Sequence, residues 1–390
     1  MNRRERLMAT LRGEPVDRSA VNFYEIGGFD VDPSDPDPFN VYNDPSWQPL
    51  LQLAEEQTDI IRMRSPIKSR SHEVGLQPKT SSLDHSRQEF FKVEEYTEKG
   101  SRFTRTTSEI AGRTMTSLAR RDPEIDTIWT LEHLLKNLDD IRAYLSLPDE
   151  VFTEEIHIDN LLKEDEELGE RGIVMIDTED PICAAASLFS MEDFTVIALT
   201  EQKLFHSLLE KLSRHIYART EKTAKAFPGH LWRIYGPEYA TEPYLPPHLF
   251  KEYVVRYTGP MVQTIQKHEG FARIHCHGRL RAVLDYIVEM RADAIDPLEP
   301  PPQGDVELEY VRSKYGEDLV LFGNIETADI ENAEPAHFEK IVEKAIKDGT
   351  SGQGKGFVLM PSSAPNGRAI TPNVMANYET MVRLTTKFNL

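Results

Sequence analysis

The segment R-I-H-C-H-G, Arg273 to Gly278, sets two imidazoles and a thiol in line. On a strand, side chains alternate between faces, so His275 and His277 share one face and Cys276 takes the other. Two imidazoles on one face of a strand end are a pair of nitrogen donors for a divalent metal, Zn²⁺ above all. The plainer alternative is that each ring hydrogen-bonds its neighbours. A third ligand is expected from Glu238, which follows the run L-W-R-I-Y-G. Gly278 lets the chain turn directly after the pair, and Cys276 is expected to pack outward as a small apolar residue.

The elements that must carry these residues are short apolar runs separated by longer helical stretches. The runs are Ala20 to Tyr24, Asp59 to Met63, Gly172 to Ile176, Leu231 to Tyr235, Phe271 to Cys276, Ala292 to Ile295, Leu319 to Phe322 and Gly356 to Met360. Helical periodicity marks Met191 to Phe227, Pro247 to His268, Leu280 to Met290 and Pro335 to Lys347. Strand then helix, repeated eight times, predicts a parallel sheet closed into a (β/α)8 TIM barrel. One domain over residues 1–390 is expected. The alternation breaks between about residues 88 and 121, where E-F-F-K-V-E-E-Y, S-R-F-T-R-T-T and G-R-T-M-T-S-L predict an inserted antiparallel hairpin or small sheet. The proline- and aspartate-rich stretch Phe29 to Pro49 reads as a surface loop.

Barrel enzymes place their chemistry at the C-terminal ends of the strands. There this chain carries Glu25, Arg64, Asp177 with Glu179, Tyr235 with Glu238, His275 with His277, Asp296 with Glu299, Asn324 with Glu326, and Ser362 with Ser363.

Composition narrows the partners. The formal charge is −20 over 390 residues, which repels nucleic-acid phosphates and anionic membranes. No window is apolar enough for a membrane span, and the N-terminus reads as an amphipathic helix with Leu7 and Leu11 four apart. Two distant cysteines, Cys183 and Cys276, exclude a disulfide framework and suit the cytoplasm.

The chain resembles the uroporphyrinogen decarboxylase superfamily, which also contains cobalamin-dependent methyltransferases. The resemblance runs through R-R-E-R-L-M-A-T-L-R-G-E-P-V-D-R, D-T-E-D-P-I-C-A-A-A-S-L-F-S-M-E-D-F, Y-L-P-P-H-L-F-K-E-Y-V, A-R-I-H-C-H-G, A-D-A-I-D-P-L-E-P, V-L-F-G-N-I-E, V-L-M-P-S-S and T-P-N-V-M-A-N-Y. It implies the same barrel fold. Decarboxylase members hold substrate carboxylates with an Arg-Gln-Ala-Gly-Arg motif, where this chain has F-Y-E-I-G-G-F-D, Phe23 to Asp30, with no arginine. Methyltransferase members bind zinc through His-x-Cys and a later Cys. His275 matches the histidine, His277 stands in place of the cysteine, and Ser363 or Ala364 replaces the later one.

The resemblance therefore implies a methyltransferase with a His/carboxylate zinc site on His275, His277 and Glu238, passing a methyl group to or from a corrinoid. Asp177, Tyr235 and Glu299 are expected to line the pocket, with Asp177, Tyr235 and Glu238 as catalytic candidates. The expected partners are a small-molecule substrate, a corrinoid protein and a second copy of the chain as a homodimer. A lyase acting on a carboxylated substrate is the alternative, with Asp177 stabilising an intermediate and Arg368 binding the carboxylate. A non-catalytic ligand-binding barrel is the second alternative.

Overall fold

The structure is a computed structural model that describes residues 1–67, 89–352 and 354–388. Eight parallel strands form one sheet: β1 (Ala20–Val21), β2 (Ile60–Arg64), β7 (Gly172–Glu179), β8 (Leu231–Tyr235), β9 (Phe271–His275), β10 (Ala294–Asp296), β11 (Val320–Ile325) and β12 (Phe357–Pro361). Their order is β1-β12-β11-β10-β9-β8-β7-β2. Each corresponds to one of the eight apolar runs. The sheet curls into a (β/α)8 barrel. At the seam the Asp59 N–H donates to Val21 O (2.7 Å) and the Met63 N–H to Gly28 O (2.9 Å).

Asp59 fastens that seam. Its carboxylate is fully buried, pairs with Arg6 (2.7 Å) and Arg18 (2.8 Å), and accepts the Val21 N–H (2.9 Å). Removing one partner of such a buried cluster costs ~3–5 kcal/mol.

Two-residue alternation divides the side chains of each strand. Ala20, Ile61, Met63, Ile173, Met175, Leu231, Ala294, Val320, Phe322, Val358 and Met360 fill the lumen. Ile176, Trp232, Ile234, Ile274, Cys276, Ile295 and Leu359 pack outward under the helices. The helix Arg3–Arg12 closes the barrel floor: Leu7 and Leu11 lie against the lumen residues, each contributing ~1.5–3 kcal/mol by burial.

The insertion is a separate antiparallel sheet of four strands: β3 (Phe91–Glu98), β4 (Ser101–Ile110), β5 (Arg113–Arg121) and β6 (Ile128–Glu132). It has one strand more than the sequence pattern suggests and ends at 132 rather than 121. The added strand, I-W-T-L-E, exposes Trp129 and Leu131, so its apolar residues give no inward-facing signal. The expected start of the insertion at Gln88 lies outside the described residues. The stretch read as loop up to Pro49 already contains a short 3-10 turn (Val41–Asn43) and the start of the helix Trp47–Gln57. Among the described residues, no helix is long and apolar enough to cross a membrane.

Candidate active site

Strand register builds the site. Glu179 pairs with Tyr235, Tyr235 with His275, and His275 with Asp296, so four polar side chains from β7 to β10 share one level and all point inward. One level deeper the same ladder aligns Asp177, Arg233 and Arg273. The lumen is therefore apolar at its floor and charged toward its mouth.

His275 is buried, with Nδ1 2.6 Å from Asp296 Oδ2 and Nε2 3.5 Å from the Tyr24 hydroxyl. Burial, reinforced by the charge of Arg233, lowers its pKa to about 3, so the ring is neutral. Asp296 is a pure acceptor when ionised, which puts the imidazole proton on Nδ1 and leaves Nε2 with its lone pair facing Tyr24. Burial opposes the ionised form of Asp296, but the charge of Arg273 and the hydrogen bond from the neutral His275 ring outweigh it and hold its pKa at about 2. Arg273 Nε lies 2.9 Å from Asp296 Oδ1 as an ion pair without hydrogen-bond alignment.

His277 stands at the rim, with 36% of its side chain exposed and its ring centroid 4.6 Å from that of His275. Its Nδ1 bonds Glu299 Oε1 (2.8 Å), while Glu299 Oε2 accepts the Gly278 N–H (2.6 Å). Burial disfavours the charged ring, but the hydrogen bond and charge of Glu299 prevail and raise its pKa. Gly278 adopts φ +81°, the left-handed turn that brings its N–H onto Glu299.

Three further carboxyls surround this pair. Glu25, in the turn after β1, accepts the Ala364 N–H (3.0 Å), and burial raises its pKa. Glu238 follows Gly236, whose φ of +114° turns the chain and whose missing Cβ would sit 2.1 Å from that of Cys183. Its Oε2 is buried without a partner; burial raises its pKa, against the pull of His277. Glu326, at the end of β11, accepts the Ser362 hydroxyl (3.3 Å) while its Oε1 has no partner. Burial, then the nearby charge of Glu299, raises its pKa to about 7.

A sequence profile of the uroporphyrinogen decarboxylase (URO-D) family matches residues 130–383, well over half of the chain. The chain belongs to the uroporphyrinogen decarboxylase family. Among solved structures, a methyltransferase from Methanosarcina mazei aligns over 100% of this chain and 99% of its own, with TM-score 0.58 and 13% identity. At that identity the likeness is one of fold. A B12-independent methionine synthase from Shewanella sp. W3-18-1 in complex with selenomethionine is more distant, with TM-score 0.41, 10% identity and 78% and 79% of the two chains covered. No curated protein matches the chain.

Within this uroporphyrinogen decarboxylase-family barrel, the site residues expected from the sequence fall into two groups. His275, His277, Glu299, Asp177 and Tyr235 sit together at the lumen mouth, but several are engaged with each other. Asp177 is paired with Arg233 (2.8 Å), Tyr235 lies 3.5 Å from Glu179 and under the Arg233 guanidinium, and Glu299 clamps His277. Arg368 serves elsewhere: it donates to the carbonyls of Pro38 (2.9 Å) and Pro123 (2.7 Å) and to Asn43 (2.8 Å), tying the first loop to the insertion.

The metal reading rests on His275, His277 and Glu238. Among the described residues, no three His, Cys, Asp or Glu side chains gather as a metal-holding set. The acids nearest the two imidazoles come from β10 and its following loop and bond Nδ1 of each ring, and His275 Nε2 faces a phenol. A carboxylate on Nδ1 is the usual outer partner of a metal-bound imidazole, and Glu238 Oε2 is a buried oxygen without a partner. The sequence reading also gave no role to Tyr24, Arg233, Arg273 or Asp296. The signal for the two arginines was present: each is a lone cation inside an apolar strand, at an inward-facing position.

Proposed function

We propose that the chain is a methyl-transferring enzyme whose barrel mouth works by proton transfer, delivering a proton to the heteroatom that loses its methyl group. The carrying observation is the His277–Glu299 pair at 2.8 Å, set beside carboxyls on Glu238 and Glu326 that each keep one oxygen free of any hydrogen bond. Such groups hold and move protons near neutral pH.

The charge pattern supports this class over a decarboxylase of polycarboxylates. The two arginines that point into the barrel, Arg233 and Arg273, are already committed to Asp177 and Asp296. A substrate bearing many carboxylates would meet Glu25, Glu238, Glu299 and Glu326 instead. A small donor of the form R–X–CH3, with X an oxygen, nitrogen or sulfur, meets no such repulsion. As the acceptor's electron pair forms its bond to the methyl carbon, the C–X bond breaks, its electrons stay on X, and X takes the proton of the Glu326 carboxyl. The products are R–XH, the methylated acceptor and a Glu326 carboxylate that is reprotonated from solvent by way of the His277–Glu299 pair.

The acceptor in this proposal is a corrinoid on a separate protein, and the lumen-mouth rim is where it would approach. No step of this reading is routed through a metal. The experiment is a donor screen with the purified chain and a reduced corrinoid, following methylation in the presence and absence of a chelator.

A further inference from the structure

Away from the barrel mouth, a groove of about 240 Å³ lies between the helix Gln202–Ala226 and the segment 149–156. Four cationic side chains line it, Lys211, Arg214, Arg219 and Lys222, against two acidic ones, Asp149 and Glu154. This is a net positive hollow on a chain whose formal charge is −20. Asp149 is shared between Lys211 (3.2 Å) and Arg214 (3.1 Å), and Glu154 is held by Arg219 (2.8 Å). Lys222 makes no ion pair with any described residue. The Phe152 ring forms one wall, stacked on His215 at 5.3 Å and lying under the Lys211 ammonium at 5.1 Å.

Arg219 links this groove to the mouth. It is 3% exposed and spans between two carboxylates. One end meets Glu154 in the groove; the other meets Glu179 (2.8 Å) and the Thr178 hydroxyl (2.9 Å) at the end of β7. Glu179 in turn lies 3.5 Å from the Tyr235 hydroxyl.

We propose that this groove is a binding site for a small anion bearing phosphate or carboxylate oxygens, and that its occupancy is felt at the barrel mouth through Arg219. Three carboxylates, Asp149, Glu154 and Glu179, meet these four cations, so one positive charge is left over, and guanidinium and ammonium groups together suit phosphate or carboxylate oxygens. The volume admits a small metabolite and is below that of a drug-sized pocket. An anion that reaches Arg219 competes with Glu154, which changes the hold of the same guanidinium on Glu179.

The test is calorimetric titration of the full chain with inorganic phosphate and, separately, with succinate. Saturable binding of one of them is expected, and the tighter of the two names the headgroup chemistry. Lys222→Glu and Arg214→Gln, both at exposed positions, should each weaken it by about tenfold or more. His277→Ala should leave it unchanged, which separates this site from the mouth. Hydrogen exchange of the Thr178 and Glu179 amides should change on filling the groove. Failure of both anions to bind, or binding unaltered by the two groove substitutions, overturns the site. Binding with unaltered exchange at Thr178 and Glu179 overturns the coupling.

Discussion

Nδ1 of His275 lies 2.6 Å from Oδ2 of Asp296, because the β9–β10 register sets the two residues side by side on the lumen face. That one carboxylate fixes the imidazole tautomer and faces the buried Arg273 guanidinium with its other oxygen. Asp296→Asn therefore strands a buried cation and frees the ring. It should destabilise the fold by ~3–5 kcal/mol in urea unfolding. A loss under ~1 kcal/mol would mean that water, not Asp296, balances Arg273.

His277 stands at the rim with a partly exposed side chain, so its loss should cost chemistry and little stability. His277→Ala should lower turnover by ~10²–10⁴-fold, the usual worth of a positioned proton-transfer group. The thermal midpoint should barely move. A large fall in the midpoint with turnover retained would make the His277–Glu299 pair structural.

Glu326 sets the pH dependence. Its pKa is raised from 4.5 to about 7 in the fold, so the carboxyl is protonated below about 7 and ionised above. Turnover that needs its proton should fall as pH rises through about 7, and Glu326→Gln should be slow at every pH. Stability follows the same sign. The contribution of the raised pKa is present below 4.5 and lost as pH rises through about 7. Glu326→Gln should thus be more stable than wild type at alkaline pH, on the order of 1 kcal/mol after solvent screening is discounted. A flat pH–rate profile for wild type across neutrality would remove Glu326 as the proton donor.

Arg368 fastens the first loop to the insertion. Arg368→Ala loses hydrogen bonds to Pro38, Pro123 and Asn43 and should cost ~1–3 kcal/mol of stability. The Michaelis constant for any methyl donor should stay the same. A raised Michaelis constant at unchanged stability would return Arg368 to the binding site.

The barrel was legible because buried parallel strands write short apolar runs, and all eight appear in the sequence. The shared face of His275 and His277 follows from the period of two. Their partners were harder to foresee. Asp296 and Glu299 lie more than twenty residues away, and only the strand register, which no local pattern encodes, brings them onto the two rings. Glu238 follows the neighbouring strand, while the acids of β10 and its loop take Nδ1 of each imidazole. Strand β6 escaped notice because Trp129 and Leu131 face solvent, the reverse of the usual pattern.

The central claim is methyl transfer driven by a proton from the barrel mouth. Its most direct test is the rate of methylation of a reduced corrinoid by the chelator-treated chain, over a panel of O-, N- and S-methyl donors. The account predicts methylation with at least one donor, undiminished by the chelator and lost in both His277→Ala and Glu326→Gln. No methylation with any donor, methylation abolished by the chelator, or release of carbon dioxide from a carboxylated compound in its place would contradict it.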